Sequence, residues 1–243
     1  MSKSNLLLDS LSPGDTAALH SHLKPVFLDQ QKILFDAGEP IDAVYFPTGA
    51  IVSLVVGLST GEMIEAAMVG RDGVVGAAAA LDGKISLSRA IVQLGGSAFK
   101  CDVDALKGAA LQSQSILAIL IRHEQTVYAQ AQQSAACMAT HDIEARLSRW
   151  LLRARDLAGS DTLHFTQEFL AEMLGVRRSS VSVVAHTLQQ AGMIRYARGK
   201  IQVVNLAGLQ ETACECYGTV KSQYQSLLGG DGIDFNLPEL YAG

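Results

Sequence analysis

The sequence predicts an α+β chain in which a jelly-roll-like β-roll, one long helix and a helix-turn-helix with a β-hairpin follow one another. Short alternating strands separated by glycine turns occupy residues 24–102. Residues 111–138 contain no proline or glycine, and residues 166–205 carry two helical patterns joined at a glycine. The expected units are a β-roll over 1–110, a helix over 111–139, a helix-turn-helix domain over 140–230 and a flexible tail over 231–243.

Composition limits the class of protein. Hydrophobic residues make up 49% of the chain and charged residues 18%, which is typical of a folded protein rather than a disordered one. The longest apolar run, Val74 to Leu81, is too short to cross a bilayer. The N-terminal segment has only three consecutive leucines, which is not a signal peptide. We therefore expect a cytoplasmic chain that does not enter a membrane.

A helix and several strands are predicted for the β-roll. The segment from Leu6 to Leu23 is expected to be helical, because Ser12 and Pro13 suit the N-cap and the first position of a helix. The strands expected after it are Val26–Leu28, Ala43–Phe46, Ala50–Val56, Met63–Met68 and Arg89–Leu94. A further helix is expected over Val74–Leu81, ahead of the last of these strands.

The long helix, from Leu111 to Met138, carries residues at alternating three- and four-residue spacings that are typical of a coiled-coil seam. The seam consists of Leu117, Leu120, Glu124, Val127, Ala131, Ser134 and Met138. We interpret this seam as the interface of a homodimer. The alternative is that the helix packs on the β-roll of its own chain.

Residues 165–205 predict a short helix, a turn, a second helix and a hairpin. Ala171 allows two helices to cross closely, and Gly175 suits a turn with a positive φ. The hairpin centres on Arg198-Gly199-Lys200. Helices are also predicted over Ile143–Leu157 and Leu206–Leu228. This pattern is typical of a DNA-binding helix-turn-helix, and the alternative is a helical hairpin that serves only packing.

The charge of the chain is unevenly distributed. The formal net charge is −5. Between His141 and Asn205 nine basic and six acidic residues give 9 − 6 = +3, whereas the remainder carries 10 − 18 = −8. The positive count includes a predicted basic face of Arg149, Arg153 and Arg155. Because DNA affinity depends on local neutralisation of phosphates, a basic module on an acidic body suits a DNA-binding regulator.

The order of these elements and several motifs resemble the Crp/Fnr family of transcription regulators. The likeness is strongest in Thr166-Gln167-Glu168 and Leu174–Val181. His141–Leu147 resembles the family's hinge, with Asp142 as the cap of the following helix. The resemblance implies a cyclic-nucleotide-binding-like β-roll and a homodimer that binds a palindromic site in double-stranded DNA and works with RNA polymerase.

The resemblance also implies which residues meet DNA. Arg178, Ser179 and Ser182 match positions that contact base edges, and Val183 stands where cyclic-AMP-responsive members carry a second arginine. The remaining candidates, mostly for phosphate contacts, are Thr166, Gln167, Arg177, Ser180, Arg195, Arg198 and Lys200.

The β-roll departs from the family's cyclic-nucleotide pattern. Arg89 matches the phosphate-binding arginine, but Ala77 replaces the ribose-binding glutamate and Ala90 replaces a hydroxyl residue. We therefore expect no cyclic AMP. An unidentified effector at Arg89, Gly76 and Ala77 is one interpretation, and an ordinary surface arginine is the other. No iron–sulfur cluster is expected, because no cysteine precedes Cys101.

The cysteines are Cys101, Cys137, Cys214 and Cys216, and they form no CxxC pair. We expect neither a disulfide framework nor a metal site from them. On a continuous C-terminal helix the thiols of Cys214 and Cys216 would point apart, which favours a buried apolar role. The alternative is a redox- or metal-responsive regulator that uses this pair.

Two further classes of function can be compared with the DNA-binding regulator. A cupin-type enzyme needs closely spaced histidines on facing strands, whereas residues 24–102 contain none. No nucleophile–base pair is evident either, so we expect no enzyme. A small-molecule-binding β-roll or an interaction protein whose helix-turn-helix is purely structural remains as an alternative.

Overall fold

The computed structural model describes residues 4–83 and 85–229. Its first elements are α1 (Leu6–Asp9) and α2 (Pro13–His20), which replace the single helical segment predicted from the sequence. Ser12 lies between them in an extended conformation, because the ring of Pro13 disfavours a helical residue before it. As predicted, Ser12 caps α2, and its hydroxyl accepts a hydrogen bond from the N–H of Asp15 at 3.2 Å.

The β-roll consists of two antiparallel sheets with strand orders β1-β7-β3 and β2-β6-β4-β5. The strands are β1 (Lys24–Leu28), β2 (Ile33–Phe35), β3 (Ala43–Pro47), β4 (Ile51–Gly57), β5 (Met63–Val69), β6 (Arg89–Leu94) and β7 (Gly96–Asp102). The five predicted strands are confirmed, and β2 and β7 are additional. The helix predicted over residues 74–81 shortens to one turn, α3 (Ala77–Ala80).

The inner faces of the two sheets pack against each other. Leu28 and Ala98 from one sheet and Val52, Val69 and Val92 from the other belong to one buried apolar cluster. A core between two antiparallel sheets is the jelly-roll arrangement that the alternating strands predict.

The long helix is interrupted near its predicted start. Helix α4 (Val103–Gln112) ends at Ser113, and α5 (Gln114–Thr140) begins after it. Ser113 has an extended backbone, and its hydroxyl caps α5 by accepting a hydrogen bond from the N–H of Ile116 at 3.3 Å. The same hydroxyl donates to Asp15 of α2 at 2.6 Å, which holds the break against the N-terminal helices.

The predicted helix-turn-helix and hairpin are present. The elements are α6 (Ile143–Ala158), β8 (Thr162–His164), α7 (Gln167–Leu174), α8 (Arg178–Gln190), β9 (Ile194–Ala197) and β10 (Lys200–Val203), and the sheet order is β8-β10-β9. Asp142 caps α6 as predicted, accepting a hydrogen bond from the N–H of Ala145 at 2.9 Å. Trp150 stacks edge-on against Phe165 in the core of this domain, with ring centroids 4.9 Å apart.

The prediction of a single C-terminal helix over residues 206–228 is wrong. Helix α9 (Leu206–Thr212) stops before an extended Ala213, and α10 (Cys216–Leu228) starts three residues later. Helix α10 packs along α5. The predicted tail over residues 231–243 lies outside the described residues.

The exposed face of α5 differs from the predicted seam: each position of this face follows a predicted seam residue by one. Leu120 is 1% exposed and Ser134 is 5% exposed, and Leu117 packs into an apolar cluster with the β-roll. The other predicted seam residues, Glu124, Val127, Ala131 and Met138, are half-buried. The predicted seam therefore packs on the chain itself. The exposed positions repeat its spacing one residue later, at Ala118, Ile121, Gln125, Tyr128, Gln132, Ala135 and Ala139.

The β-roll and the helix-turn-helix domain share one core. Met68 of β5 belongs to the same buried cluster as Trp150 of α6. Arg153 of α6 pairs with the buried Asp72 at 2.5 Å. The predicted basic face of α6 is therefore wrong, because Arg153 is engaged inside the chain and Arg149 and Arg155 are buried. Within the described ranges, no helix is long and apolar enough to cross a membrane.

Candidate nucleic-acid interface

Gly175 makes the turn between α7 and α8. Its backbone is left-handed (φ 60°, ψ 44°), and its N–H and that of Val176 bond back to the carbonyls of Glu172 and Ala171. This is the glycine C-cap that the sequence predicts. Thr166 caps the other end of α7, where its hydroxyl accepts from the N–H of Phe169 at 3.2 Å.

Helix α8 buries one face and leaves the other open. Val181, Ala185 and Leu188 are buried against the domain core. The opposite face consists of Arg178, Ser179, Ser182, Val183 and His186, all exposed except for the half-buried Ser182. Val183 is 67% exposed and lies in the middle of this face. This face has the position expected of a helix that enters a major groove.

The start of α8 is basic. Arg177 occupies the N-cap position without a side-chain capping bond, and Arg178 is the first helical residue. Positive charge at a helix N-terminus opposes the helix dipole, so these arginines do not stabilise α8. Arg178 Nε lies 3.0 Å from a carboxylate oxygen of Glu168, and both side chains are largely exposed. An exposed pair of this kind contributes little to stability and leaves Arg178 free to change partner.

Ser182 is less free than the sequence predicts. Its hydroxyl donates to the side-chain oxygen of Gln167 at 2.5 Å, and the carbonyl of Arg178 lies 3.1 Å from the same hydroxyl. The contact ties the middle of α8 to the first residue of α7. Two of the predicted DNA-contacting residues therefore also position the two helices relative to each other.

The hairpin of β9 and β10 is held against the helix-turn-helix. Arg198 and Gly199 form its turn, both with a positive φ (50° and 74°), as a two-residue type I′ turn requires. The Tyr196 hydroxyl donates to the carbonyl of Phe165 at 3.1 Å, and the N–H of Tyr196 donates to Gln189 of α8 at 2.7 Å. The exposed Arg195, Arg198 and Lys200 extend from this wing.

A polar cleft of about 260 Å³ lies between the helix-turn-helix and the wing. Its lining brings together four of the predicted DNA-contacting residues: Thr166, Gln167, Arg178 and Arg198. Ser179, Ser180 and Val183 lie along α8 outside the cleft, and Lys200 lies at the start of β10. Arg177 borders a different cleft, beside Met63 and Ile64 of β5.

The exposed positive charge of residues 141–205 comes from the start of α8 and from the wing. The nine basic residues of the segment 141–205 divide into two groups. The α6 arginines are buried or nearly so, and two of them pair internally, Arg153 with Asp72 and Arg155 with Asp161 at 2.6 Å. The exposed group consists of Arg177, Arg178, Arg195, Arg198 and Lys200. The net charge of +3 for this segment is correct, but the prediction that the α6 arginines face solvent is wrong.

The residues predicted to bind an effector do not form one site. The Arg89 guanidinium makes two contacts to the carboxylate of Asp36, at 3.1 and 2.7 Å. Hydrogen bonding to Arg89 lowers the pKa of the Asp36 carboxyl from its ordinary value. Ala77 is fully buried, and only Gly76 lines a cavity that Arg89 does not reach.

The cavity lined by Gly76 lies between the β-roll and α5 and has a volume of about 260 Å³. Its walls are mostly apolar, with Phe35, Ile41, Leu54, Ile85, Leu87 and Val127 among them. Glu124 is the acidic residue in its lining. The sequence does not predict this cavity, because the apolar residues that line it equally predict an ordinary core.

Residues 145–212 match the Crp-like helix-turn-helix domain family. FixK2 from Bradyrhizobium japonicum has a similar fold, with a TM-score of 0.68 and 17% identity over 79% of this chain and 98% of that one. Two CRP- or CRP/FNR-family transcriptional regulators from Thermus thermophilus are each 22% identical. One has a TM-score of 0.66 over 77% of this chain and 96% of its own, and the other 0.62 over 78% and 98%.

A search of curated proteins found no match. The matched domain and the fold together define a helix-turn-helix protein with an N-terminal β-roll. Residues 145–212 are therefore a Crp-like helix-turn-helix domain, and the chain has the same fold as solved regulators of the CRP/FNR family.

Proposed function

We propose that this chain is a sequence-specific DNA-binding regulator of transcription that acts as a homodimer on a palindromic site. The observation that carries the proposal is the open face of α8, which starts with the exposed Arg177 and Arg178 and leaves Val183 largely exposed. In a helix-turn-helix that served only packing, two arginines at the N-terminus of α8 would be unfavourable to the helix dipole, and no contact with DNA would compensate for them.

The residues on and beside this face suit different contacts with DNA. Arg178 is the best placed to read guanine, because it starts α8 and gives up only an exposed ion pair. The methyl groups of Val183 suit a thymine methyl. Thr166, Arg198 and Lys200 surround or flank the cleft and suit phosphates, which position the protein without reading sequence.

Dimerisation through α5 is part of the proposal, on the exposed face rather than on the predicted seam. Ile121 is 51% exposed and Tyr128 is 64% exposed, and they are one heptad apart. Small or uncharged residues fill the rest of this face, at Ala118, Gln125, Gln132, Ala135 and Ala139. Pairing of two such helices would cover both large side chains and bring two copies of α8 into a two-fold arrangement. RNA polymerase is the further partner that a regulator of this type would contact.

The apolar cavity beside α5 is the place where an effector would act. Because the walls of this cavity are mostly apolar and Glu124 is the acidic residue in its lining, a small apolar molecule fits it better than an anion such as cyclic AMP. Glu124 and Val127 line the cavity from α5, so an occupant would touch the helix proposed to form the dimer.

DNA binding can be tested with a fluorescent duplex of random sequence in a salt series. Lys200→Ala should lower the slope of log affinity against log salt by about 2, because one phosphate contact is lost in each subunit of the dimer. Lys24→Ala is the matched control, since Lys24 is exposed on β1 and should leave the slope unchanged. Absence of binding at low salt, or equal slopes for all three proteins, would contradict the proposal.

A further inference from the structure

The side chains of Cys137, His141, Cys214 and Cys216 converge at the end of α5. One ligand atom from each, three thiols and an imidazole nitrogen, lies within 4.8 Å of the others. The sequence predicts the opposite for Cys214 and Cys216, because it places both on one continuous helix. The break after α9 places Cys214 ahead of α10 and Cys216 at its first position, so the thiols turn toward each other.

The separations match those of ligands around one tetrahedral ion. The Sγ atoms of Cys137 and Cys214 are 3.5 Å apart, and Cys216 Sγ is 3.6 Å from His141 Nδ1. A tetrahedral zinc ion with bonds of about 2.3 Å to sulfur and 2.0 Å to nitrogen places its ligands about 3.8 Å (S···S) and 3.5 Å (S···N) apart. Both observed distances therefore lie close to the edges of such a tetrahedron.

The second nitrogen of His141 supports the same interpretation. Its Nε2 lies 3.2 Å from a carboxylate oxygen of Glu215. A histidine that binds a metal through one nitrogen commonly donates its other N–H to a carboxylate, which fixes the tautomer and the ring orientation. In the cluster itself, Gln133 donates to Cys216 Sγ at 3.0 Å, and the Thr140 hydroxyl lies 3.4 Å from His141 Nδ1.

The surroundings suit a negatively charged centre. All three cysteines are buried, and His141 is partly exposed, which leaves a path from solvent. Arg149 lies within electrostatic reach of Cys137, and its buried Nε has no hydrogen-bond partner in the described residues. Three thiolates, one neutral imidazole and a divalent cation sum to one negative charge, which a neighbouring guanidinium offsets.

We propose that Cys137, His141, Cys214 and Cys216 bind one zinc ion. The ion joins the last turn of α5, the hinge at His141–Asp142 and the loop between α9 and α10. All four positions are filled by protein ligands, which is typical of a structural rather than a catalytic zinc site. Zinc would therefore hold the hinge between the β-roll side and the helix-turn-helix domain in one geometry. The inference is independent of whether the chain binds DNA.

A disulfide between Cys137 and Cys214 is the competing chemistry for this cluster. It would need the two sulfur atoms to approach to about 2.05 Å, and it would leave Cys216 and His141 without a role. The carboxylate on His141 and the hydrogen bond to Cys216 favour a shared ion over a bond between two of the four residues.

The test is zinc analysis of the full chain, purified and desalted after zinc reconstitution under reducing conditions. We expect one zinc per chain, and visible bands of tetrahedral thiolate-bound cobalt when Co²⁺ replaces zinc. His141→Gln, at a partly exposed position, should weaken zinc binding by more than the 10–100-fold or so typical of second-sphere changes. Cys101→Ala is the matched control, because Cys101 is a buried cysteine in a different cluster, and it should keep one zinc.

Two results would overturn the inference. One is a wild-type chain that retains no zinc after reconstitution. The other is a chain that, purified and denatured without any reductant, shows only two reactive thiols, which would indicate a disulfide. Both results are measured on the wild-type protein, so they do not depend on whether a cysteine variant folds. The His141→Gln variant tests the role of a ligand without changing a cysteine.

Discussion

At the scale of single residues, Glu65 of β5 is the most unusual side chain of the described core. It is buried between the two domains, where Ser53 and Gln93 donate hydrogen bonds to one carboxylate oxygen and Trp150 donates to the other at 3.0 Å. Burial raises the pKa of Glu65 to about 7, although Ser53 and the charges of the α6 arginines oppose the shift. The carboxyl group is therefore protonated more readily in the folded chain than in the unfolded one.

This raised pKa sets the sign of a pH dependence. A pKa of about 7 in the fold against 4.5 in the unfolded chain means that the free energy of unfolding falls as pH rises between these values. Glu65→Gln should remove this fall, which is on the order of 3 kcal/mol. Urea unfolding at several pH values measures it, with the exposed Glu62→Gln as control. A Glu65→Gln chain that keeps the wild-type pH dependence would show that Glu65 is not its source.

Arg178 is the residue whose replacement bears most directly on sequence reading. Arg178→Ala should weaken binding to the preferred DNA site by about 1–3 kcal/mol per half-site and relax specificity at one base pair in each half-site. Competition binding with duplexes substituted at each position measures both effects. Lys24→Ala removes the same charge from a distant exposed position and should change neither. A uniform loss over all positions would indicate that Arg178 contacts phosphate instead.

At the scale of elements, the turn of the helix-turn-helix depends on Gly175. Its φ of 60° is costly for any other residue, and a Cβ there would lie 3.2 Å from the side chain of Ile64. Gly175→Ala should therefore destabilise the fold by about 1–2 kcal/mol in urea unfolding. Gly218→Ala in α10 is the control, since open space surrounds it, and it should stabilise the fold by about 0.5–1 kcal/mol. Equal effects at the two positions would contradict this account of the turn.

Helix α5 provides the test of the dimer. Tyr128→Lys on the exposed face should shift the chain from dimer to monomer in sedimentation velocity, because two like charges would oppose each other across the helix pair. Leu111→Lys changes an apolar residue that is 76% exposed but lies on α4, away from this face. It should leave the assembly unchanged. A Tyr128→Lys chain that remains dimeric would place the interface elsewhere.

The elements also show what the sequence could and could not predict. The capping residues Ser12 and Asp142 and the turn glycine Gly175 are local signals, and the structure confirms all three. The exposed face of α5 lies one residue away from the predicted seam. The usual rule that apolar residues are buried does not hold on this helix, because His123 and Gln130 are buried whereas Ile121 and Tyr128 are exposed. The break before α10 carries no proline or glycine, so the convergence of the cysteines could not be anticipated.

At the scale of the whole molecule, the β-roll and the helix-turn-helix domain are one packed unit. Helix α6 packs on β4 and on α8, and α7 packs on β5. The sequence predicts an exposed basic face on α6 because no local pattern shows that Arg153 pairs with Asp72, which lies 81 positions away. Contacts across such distances depend on the fold and leave no trace in local periodicity.

The central claim is that this fold reads DNA as a two-fold assembly, and selection of bound duplexes from a random library tests it most directly. The selection should be run on the purified chain at near-physiological salt, which suppresses non-specific phosphate binding, with and without small molecules extracted from cells. The account predicts enrichment of a palindrome whose half-sites lie about one helical turn apart. Enrichment of no sequence under either condition, or of a single unrepeated half-site, would contradict it.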